Sequence, residues 1–484
     1  KRLEVLFAIA PDMPRSLMGD PVRLQQVLLN LVTNAIKFTQ RGEVLIELSC
    51  EPSDVAGEIV LRGAVRDSGA GISRDDLERL FQPFSPVYQQ DPARAFYAEA
   101  HARAPVAYSQ SFFSYLVTGH AEVLQVLRDP QLYSSARILE PIVPFQAELL
   151  AELQRRTTFP LPAGLFNNDP PDHTRARALF SKAFTPAKVA GLEPQIRGFA
   201  EALAAGLRDG PEAIELMHDF AFKLPMRVIA ALVGVPFADM DQLKAWQDDW
   251  FKLYDPALDL ASKLRAASGF VAYQEYYAAL IERRRAQPAD DLISALVRAR
   301  EGTDAFTNDE IISHLVVLLF AGYETAASLT GSALLSLLAE PSLWQRIGGD
   351  PALLQAVIEE NLRMHAPVQM EPRHTTGPAT LGGVEIPPGS AVLTFFGAAN
   401  YDPQVFPEPL RFDLARANGT RHLGFGWGVH SCLGASLARL ELRVGLQALR
   451  AALPELRLAD PGAPRSYLPS LFFRTPAAVP ALRG

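Results

Sequence analysis

Apolar residues recur at helical spacing through most of this chain, and the longest such segment begins at a helix-capping signature. Thr307-Asn-Asp-Glu310 has the form of a capping box. The segment after it predicts one helix that runs to about Pro341, roughly 50 Å at 1.5 Å per residue. Residues 315–321 are apolar on every face, so this part of the helix is expected to be buried.

Shorter patterns predict the remaining elements. A second helix is expected over residues 351–365, because its apolar residues share one side. Residues 44–48 and 59–65 alternate between apolar and polar and predict strands, and residues 381–393 predict a hairpin. Near the start, residues 20–39 predict a helix with Asp20 as its N-cap. From Pro86 onward the pattern indicates many helices with short strands.

Composition narrows the protein class. Of 484 residues, 48% are hydrophobic and 21% charged, which is typical of globular proteins. A net charge of −8 argues against a nucleic-acid binder, which is usually basic. Two distant cysteines do not suggest a disulfide framework, so a reducing, cytoplasmic location is expected. The first residues show no signal peptide or membrane anchor, and the apolar segment 311–338 carries Glu324, so we expect a buried helix there.

The stretch Phe425-Gly-Trp-Gly-Val-His-Ser-Cys432-Leu-Gly434 is unusual for a protein core. A lone cysteine is most often a small buried hydrophobic residue. Three glycines and a histidine within ten residues indicate instead a loop that approaches a flat group. A helix starting just after Cys432 would stabilise its thiolate. The sequence therefore makes Cys432 a candidate metal ligand.

Two further patterns carry possible chemistry. Ala321-Gly322-Tyr323-Glu324-Thr325 places an acid beside a hydroxyl in the predicted buried helix, where both need partners. The alternative is that Thr325 bonds back to the preceding turn and Glu324 pairs elsewhere. His173 and Arg177 lie four residues apart on one helix face, which suits an anion, although an exposed basic face is equally compatible with the spacing.

Together these patterns resemble those of the cytochromes P450, the haem-thiolate monooxygenases. The haem-loop pattern Phe-x-x-Gly-x-x-x-Cys-x-Gly is complete at Phe425, Gly428, Cys432 and Gly434. The pattern Ala-Gly-x-(Asp/Glu)-Thr is complete at residues 321–325, and Glu-x-x-Arg is present at Glu360 and Arg363. The resemblance, of the soluble bacterial type, implies a mainly α fold with small β-sheets over residues 86–484.

The resemblance also implies a role for each matching residue. Haem b would be held by the Cys432 thiolate, and Thr325 and Glu324 would relay protons to the oxygen. Ala321 and Gly322 would let the haem approach the helix. The other implied contacts are with the propionates, through His173, Arg177, Arg373 and His430. Glu360 and Arg363 would form a structural network completed by Arg411.

The implied reaction inserts one oxygen atom of O2 into a hydrophobic substrate such as a fatty acid, terpenoid, steroid or polyketide. No dinucleotide, flavin or iron–sulfur motif is visible, so a separate ferredoxin or flavodoxin with its reductase is expected. We expect the pocket to be lined from residues 134–168, from Val368 and Met370, and from residues 471–473. A peroxide-driven peroxygenase and a non-catalytic haem-binding sensor remain as alternatives.

Residues 1–85 show a second resemblance. Asn30, Asn34 and Lys37 share one helix face, and an Asp-x-Gly-x-Gly pattern starts at Asp67. With residues 80–84, they resemble the N, G1 and F boxes of the histidine-kinase ATP-binding domain, a third class of function. Asn30, Asn34 and Lys37 would then face Mg-ATP. The second glycine-rich box and the phosphoacceptor helix are missing, so we expect an incomplete α/β fragment without kinase activity.

Overall fold

A computed structural model describes residues 2–10, 13–14, 41–52, 59–67, 96–110, 112–140, 145–155, 158–162, 164–183, 185–255, 258–300 and 304–484. The chain divides into two compact units, Lys1–Phe81 and Gln82–Gly484. The helix expected over residues 20–39, with Asn30, Asn34 and Lys37, lies outside the described residues, as do residues 68–71 and 80–84.

The first unit contains a three-stranded sheet in the order β1-β2-β3. Its strands are β1 (Arg2–Ile9), β2 (Arg41–Pro52) and β3 (Ile59–Asp67). β1 runs parallel to β2, with Val5 opposite Val44, and β2 runs antiparallel to β3. The two strands predicted from alternation are therefore present and longer than predicted. On β2, Val44 and Ile46 are buried, which accounts for the alternation.

Helices form most of the second unit, as the periodicity predicted. In chain order they are α1 (Ala98–Arg103), α2 (His120–Arg128), α3 (Ala147–Gln154), α4 (Asp172–Ala183), α5 (Pro186–Gly191), α6 (Glu193–Arg208), α7 (Lys223–Val233), α8 (Met240–Lys252), α9 (Leu260–Ala286), α10 (Leu292–Arg298), α11 (Asn308–Leu338), α12 (Pro341–Arg346), α13 (Pro351–Met364), α14 (Phe396–Ala399) and α15 (Ala435–Ala452).

The strands of this unit form small sheets. They are β4 (Val106–Ser109), β5 (Ser114–Val117), β6 (Tyr133–Ser134), β7 (Ala213–Glu215), β8 (Glu371–Thr375), β9 (Ala379–Leu381), β10 (Val384–Ile386), β11 (Ala391–Thr394), β12 (Arg457–Leu458) and β13 (Pro480–Leu482). A mixed five-stranded sheet has the order β4-β5-β11-β8-β6, and β5 pairs with β11 in parallel. β9 and β10 form a hairpin that turns at Gly382 and Gly383, which both have positive φ. It covers residues 379–386, and the last residues of the predicted range 381–393 lie instead in β11, which pairs with β5 and β8.

The long helix α11 organises the core. Its capping box is formed, with Thr307 accepting from the Glu310 amide and Glu310 bonding back to the Thr307 amide. Its first half packs in one buried cluster with α7 to α10, and its second half in another with α6, α13 and α15. Among the described residues this single helix is long and apolar enough to cross a membrane, yet 61% of its apolar window is buried in the protein.

Candidate active site

Hydrogen bonding and glycine geometry shape the loop that carries Cys432. The Cys432 amide donates to the Phe425 carbonyl at 2.9 Å, which closes the loop three residues before α15 begins. Gly428 has a φ of 74°, and a Cβ added there would lie 2.6 Å from the Leu127 carbonyl oxygen of α2. A side chain at position 428 would therefore displace the loop from α2. At Gly434, an added Cβ would lie 3.9 Å from the Cys432 sulfur.

Cys432 is exposed as a residue, yet nearby protein atoms desolvate its thiol strongly. Burial raises the pKa of this thiol, and a hydrogen bond from the Gly434 backbone and the charge of Arg177 oppose the rise. A thiol in this setting needs a further positive charge, such as a metal ion, to become a thiolate.

The middle of α11 is exposed on one face although the helix is otherwise buried. Ala321 is exposed, and Glu324 and Thr325 are partly so. The Thr325 hydroxyl donates to the Ala321 carbonyl at 2.8 Å, which is the back-bond considered from sequence. Burial raises the pKa of Glu324; the charge of Lys244 on α8 opposes this and that of Asp248 adds to it.

Gly322 has a role that the sequence did not indicate. A Cβ added to it would lie 2.7 Å from the Ile229 Cδ1 atom of α7. The absence of a side chain at Gly322 therefore lets α7 pack closely against α11. The family resemblance had implied a different role for Gly322, in the approach of the haem.

Basic side chains converge on the Cys432 loop from distant parts of the chain. The His173 and His430 rings have centroids 4.2 Å apart. Arg177 donates to the Ser431 carbonyl at 2.9 Å. Arg373 is 3% exposed and pairs with the neighbouring Glu371 at 2.9 Å. Burial, then the charges of Arg373 and His173, lower the pKa of His430 to about 3. The four predicted propionate donors thus lie in one neighbourhood.

Ser135 and Leu165 hold His430 in place, and neither contact was indicated by the sequence. The Ser135 hydroxyl lies 2.8 Å from His430 Nε2, and the Leu165 carbonyl 3.2 Å from Nδ1. Asp169 accepts the Ser135 amide at 2.8 Å and also bonds the Ser134 hydroxyl. The signal for Asp169 was its position at the start of the segment that opens α4.

These residues fit a haem. Both ring nitrogens of His173 are buried without a hydrogen-bond partner among the described residues, which leaves donors for an added anionic group. The described residues contain no cluster of three His, Cys, Asp or Glu side chains that could bind a metal ion by themselves. A metal at Cys432 would bring its other ligands with it, as the iron of a porphyrin does.

A buried ion-pair network lies behind the loop, and it corrects one sequence assignment. Arg363 donates two hydrogen bonds to Glu360, at 2.7 and 2.9 Å, and both side chains are buried. The third side chain is Arg416, whose Nε lies 3.1 Å from Glu360 Oε1. The predicted Arg411 is exposed, pairs with Glu408, and contributes only its carbonyl oxygen. The chain turns back at Asp413, whose amide donates to Glu360, and this turn brings Arg416 inward.

A second buried carboxylate on α13 joins the loop to α15. Glu359 accepts hydrogen bonds from Arg439 at 2.7 and 2.8 Å and lies 3.1 Å from His422 Nε2. Burial alone would raise the pKa of Glu359, but these partners outweigh it and lower the pKa to about 2. Arg439 also lies over the Phe425 ring at 4.6 Å. Two consecutive acidic residues on the buried side of a helix were the sequence signal.

Part of the expected substrate pocket is brought together. Val368 pairs with Phe473 in a β-bridge, and the Phe473 ring lies 5.2 Å from Phe320 of α11. Met370 is instead 3% exposed in a core cluster with Tyr97, so its assignment to the pocket is corrected. Residues 141–144 of the predicted lining lie outside the described residues.

Comparison with known proteins agrees with this geometry. The family model described as Cytochrome P450 matches residues 108–348 and 351–450, well over half of the chain. The model for histidine kinase-, DNA gyrase B- and HSP90-like ATPases matches residues 19–96, in line with the N-terminal resemblance.

Individual relatives share the same family. Cytochrome P450 107B1 of Saccharopolyspora erythraea is 38% identical over 349 residues, 72% of this chain and 83% of that protein. Vitamin D(3) 25-hydroxylase of Pseudonocardia autotrophica is 37% identical over 386 residues, 78% of this chain and 90% of that protein. The structure of cytochrome P450 CYP109Q5 from Chondromyces apiculatus has a TM-score of 0.72 at 33% identity and covers 83% of this chain and 97% of that one. This chain therefore belongs to the cytochrome P450 family, as an oxidoreductase and monooxygenase that binds haem b through a cysteine thiolate.

Proposed function

We propose that the chain inserts one oxygen atom of O2 into a hydrophobic organic molecule, with Cys432 as the haem ligand. The observation that carries this assignment is the convergence of His173, Arg177, Arg373 and His430 on the loop that holds the Cys432 thiol. Residues 86–484 form the catalytic domain in this proposal, and residues 1–85 a truncated ATPase-like fragment.

Bound through a thiolate, haem supplies O2 activation and O–O bond cleavage. The Cys432 sulfur would hold the iron, and the Gly434 backbone hydrogen bond would help to stabilise its negative charge. His173, Arg177, Arg373 and His430 orient the cofactor through its carboxylates.

Proton delivery falls to α11. The Thr325 hydroxyl holds its proton toward the Ala321 carbonyl and can turn it to the open side of the helix. The raised pKa of Glu324 lets this carboxyl carry a proton nearer to neutral pH than an exposed glutamate does. The charged side chains that act on Glu324, those of Lys244 and Asp248, both lie on α8.

The substrate is proposed to be hydrophobic, because Phe320, Phe473 and Val368 meet beside the open face of α11. The relative named vitamin D(3) 25-hydroxylase has a hydrophobic compound in its name, which supports the same class here. Electrons are proposed to come from a separate ferredoxin or flavodoxin with its reductase.

The first test is the carbon monoxide difference spectrum of the reduced, haem-loaded chain. We expect the strongly red-shifted Soret band of thiolate ligation, lost in Cys432→Ser and retained in Cys50→Ser. Cys50 is the matched control, since it is the other cysteine of the chain and lies on β2. A red-shifted band that survives Cys432→Ser would reject Cys432 as the ligand.

The second test concerns the source of oxygen. With a ferredoxin, its reductase and O2, Thr325→Ala should release more peroxide and less product per electron consumed. Thr330→Ala is the matched control, because Thr330 makes the same back-bond, to the Ala326 carbonyl at 2.8 Å, within the buried part of α11. Product formed with hydrogen peroxide and none with the redox chain would identify a peroxygenase, and haem binding without product would indicate a sensor.

A further inference from the structure

Oxidisable side chains form a continuous series from the middle of α11 to the outer side of α8 and α9. Tyr323 and Tyr273 of α9 pack in the same buried cluster. Ring centroids are 5.1 Å apart for Tyr273 and Tyr277, and 5.8 Å for Tyr277 and Tyr276. Trp246 of α8 lies 6.1 Å from Tyr276 and 6.5 Å from Tyr273. We call Tyr323, Tyr273, Tyr277, Tyr276 and Trp246 the tyrosine series.

The inner end of the series lies directly behind the active site. Tyr323 is two residues from both Ala321 and Thr325, which places it on the opposite side of α11 at 100° per residue. It is 2% exposed. Roughly one helix diameter, about 10 Å, therefore separates its ring from the open face of α11. Electrons cross such distances readily between redox-active groups.

At the outer end a phenol donates a hydrogen bond to a carboxylate that can accept its proton once the ring is oxidised. The Tyr276 hydroxyl donates to Asp239 Oδ2 at 2.6 Å, and both residues are only half-buried. Burial raises the pKa of all four tyrosines, and Asp239 raises that of Tyr276 further, so each phenol is neutral at ordinary pH. A neutral phenol loses an electron easily only where its proton can leave, and among the described residues Tyr276 is the one of these four bonded to a carboxylate.

We propose that the tyrosine series is an escape route for oxidising equivalents, a function separate from substrate oxidation. The proposal rests on the haem site at Cys432. When a bound haem would be left oxidised with no substrate to react, Tyr323 would donate one electron to it. The electron vacancy left on Tyr323 then moves through Tyr273 and Tyr277 to Tyr276. There the hydroxyl proton passes to Asp239, and a soluble one-electron donor such as ascorbate later returns an electron while the proton returns from Asp239.

The test uses the haem-loaded chain mixed with hydrogen peroxide in the absence of substrate, frozen rapidly for electron paramagnetic resonance. We expect a tyrosyl radical, identified by ring-deuterated tyrosine. Tyr276→Phe and Asp239→Asn should each lose the long-lived signal and bleach their haem faster, and ascorbate should quench the signal in the wild type. Tyr133→Phe is the control, because Tyr133 is 1% exposed, lacks a hydroxyl partner among the described residues, and lies on β6.

Both variants are first checked for an unchanged carbon monoxide spectrum and unchanged product yield with substrate, which separates this proposal from the proposed function. Asp239→Asn keeps the experiment decisive if Tyr276→Phe fails to fold. Equal radical lifetime and equal haem bleaching in the wild type and both variants would overturn the proposal.

Discussion

Glu441 is a buried carboxyl that meets no counter-charge among the described residues. It lies on α15, is 4% exposed, and its Oε2 atom meets no hydrogen-bond partner among the described residues. Burial raises its pKa to about 8. The folded chain therefore keeps this side chain protonated at neutral pH, whereas the unfolded chain ionises it near pH 4.3.

This difference predicts a pH-dependent stability. Between about pH 4.3 and 8 the folded state binds one proton more than the unfolded state, so the free energy of unfolding falls as pH rises, by about 1.4 kcal/mol per pH unit for this group. Glu441→Gln should flatten that slope and stabilise the protein most at pH 8. Urea unfolding from pH 5 to 8 measures it. Exposed Glu455→Gln serves as the control, and parallel slopes for Glu441→Gln and the wild type would contradict the assignment.

Substitution of Arg416 and of Arg411 should lower the free energy of unfolding by very different amounts. Arg416→Ala should lower the free energy of unfolding by about 3 kcal/mol, since it leaves the buried Glu360 with only one of its two arginines. Arg411→Ala should change it by less than about 0.5 kcal/mol, because that side chain is exposed. Chemical denaturation followed by circular dichroism measures both effects. A larger effect at Arg411 would show that Arg411, and not Arg416, completes the network.

At the scale of elements, the loop between Phe425 and Cys432 is fixed by its contact with α2. Gly428 must have a positive φ and must leave room for the Leu127 carbonyl. Helix α2, the loop and α15 therefore position the sulfur as one assembly, and the loop tolerates change only where it faces solvent.

Two glycine substitutions should separate these requirements. Gly428→Ala should cost about 1–3 kcal/mol in backbone strain, with the contact to Leu127 adding to it, and should reduce the haem bound per chain. Gly419→Ala should leave both unchanged, since nothing lies within 4 Å of its added Cβ. Haem content by absorbance and the urea midpoint are the measurements. Full haem content in Gly428→Ala would show that the loop can move without losing its function.

Local patterns identified elements well. The capping box and apolar run predicted α11, and the apolar side of residues 351–365 predicted α13, each to within a few residues. Those signals depend on neighbours three or four positions apart, which the sequence displays directly. The parallel pairing of β5 with β11 was not predicted, because strands this short carry no mark of a distant partner.

At the scale of the whole molecule, the family resemblance predicted the site residues. The tertiary structure then corrected one of them, replacing Arg411 with Arg416 in the buried network. His173, Arg373 and His430 are far apart in sequence, and only the fold brings them together. The sequence could not distinguish Arg411 from Arg416, since the choice depends on one turn at Asp413. Glu441 was missed because its charge lies on the apolar side of a helix, a position that periodicity alone assigns to leucine.

The division of the chain leads to a prediction about the N-terminal fragment. Every proposed site residue lies within Gln82–Gly484, as do the four buried hydrophobic clusters found among the described residues. A chain without residues 1–85 should therefore keep the carbon monoxide spectrum of the full chain. Absorbance and haem content of the two chains, prepared side by side, test this. Loss of haem from the shorter chain would assign residues 1–85 a part in forming the site.

The parallel pairing of β5 with β11 also has a consequence for synthesis. Ser114 pairs opposite Ala391, which emerges from the ribosome 277 residues later. At about 5–20 residues per second, the strand waits roughly 14 to 55 seconds for its partner. The β4–β5 hairpin spends that time with an open edge, as a template for other nascent strands. Slow translation at reduced temperature would prolong this exposure. Because the open edge of β5 can pair with other chains, chaperones that shield strand edges should raise the yield of native protein.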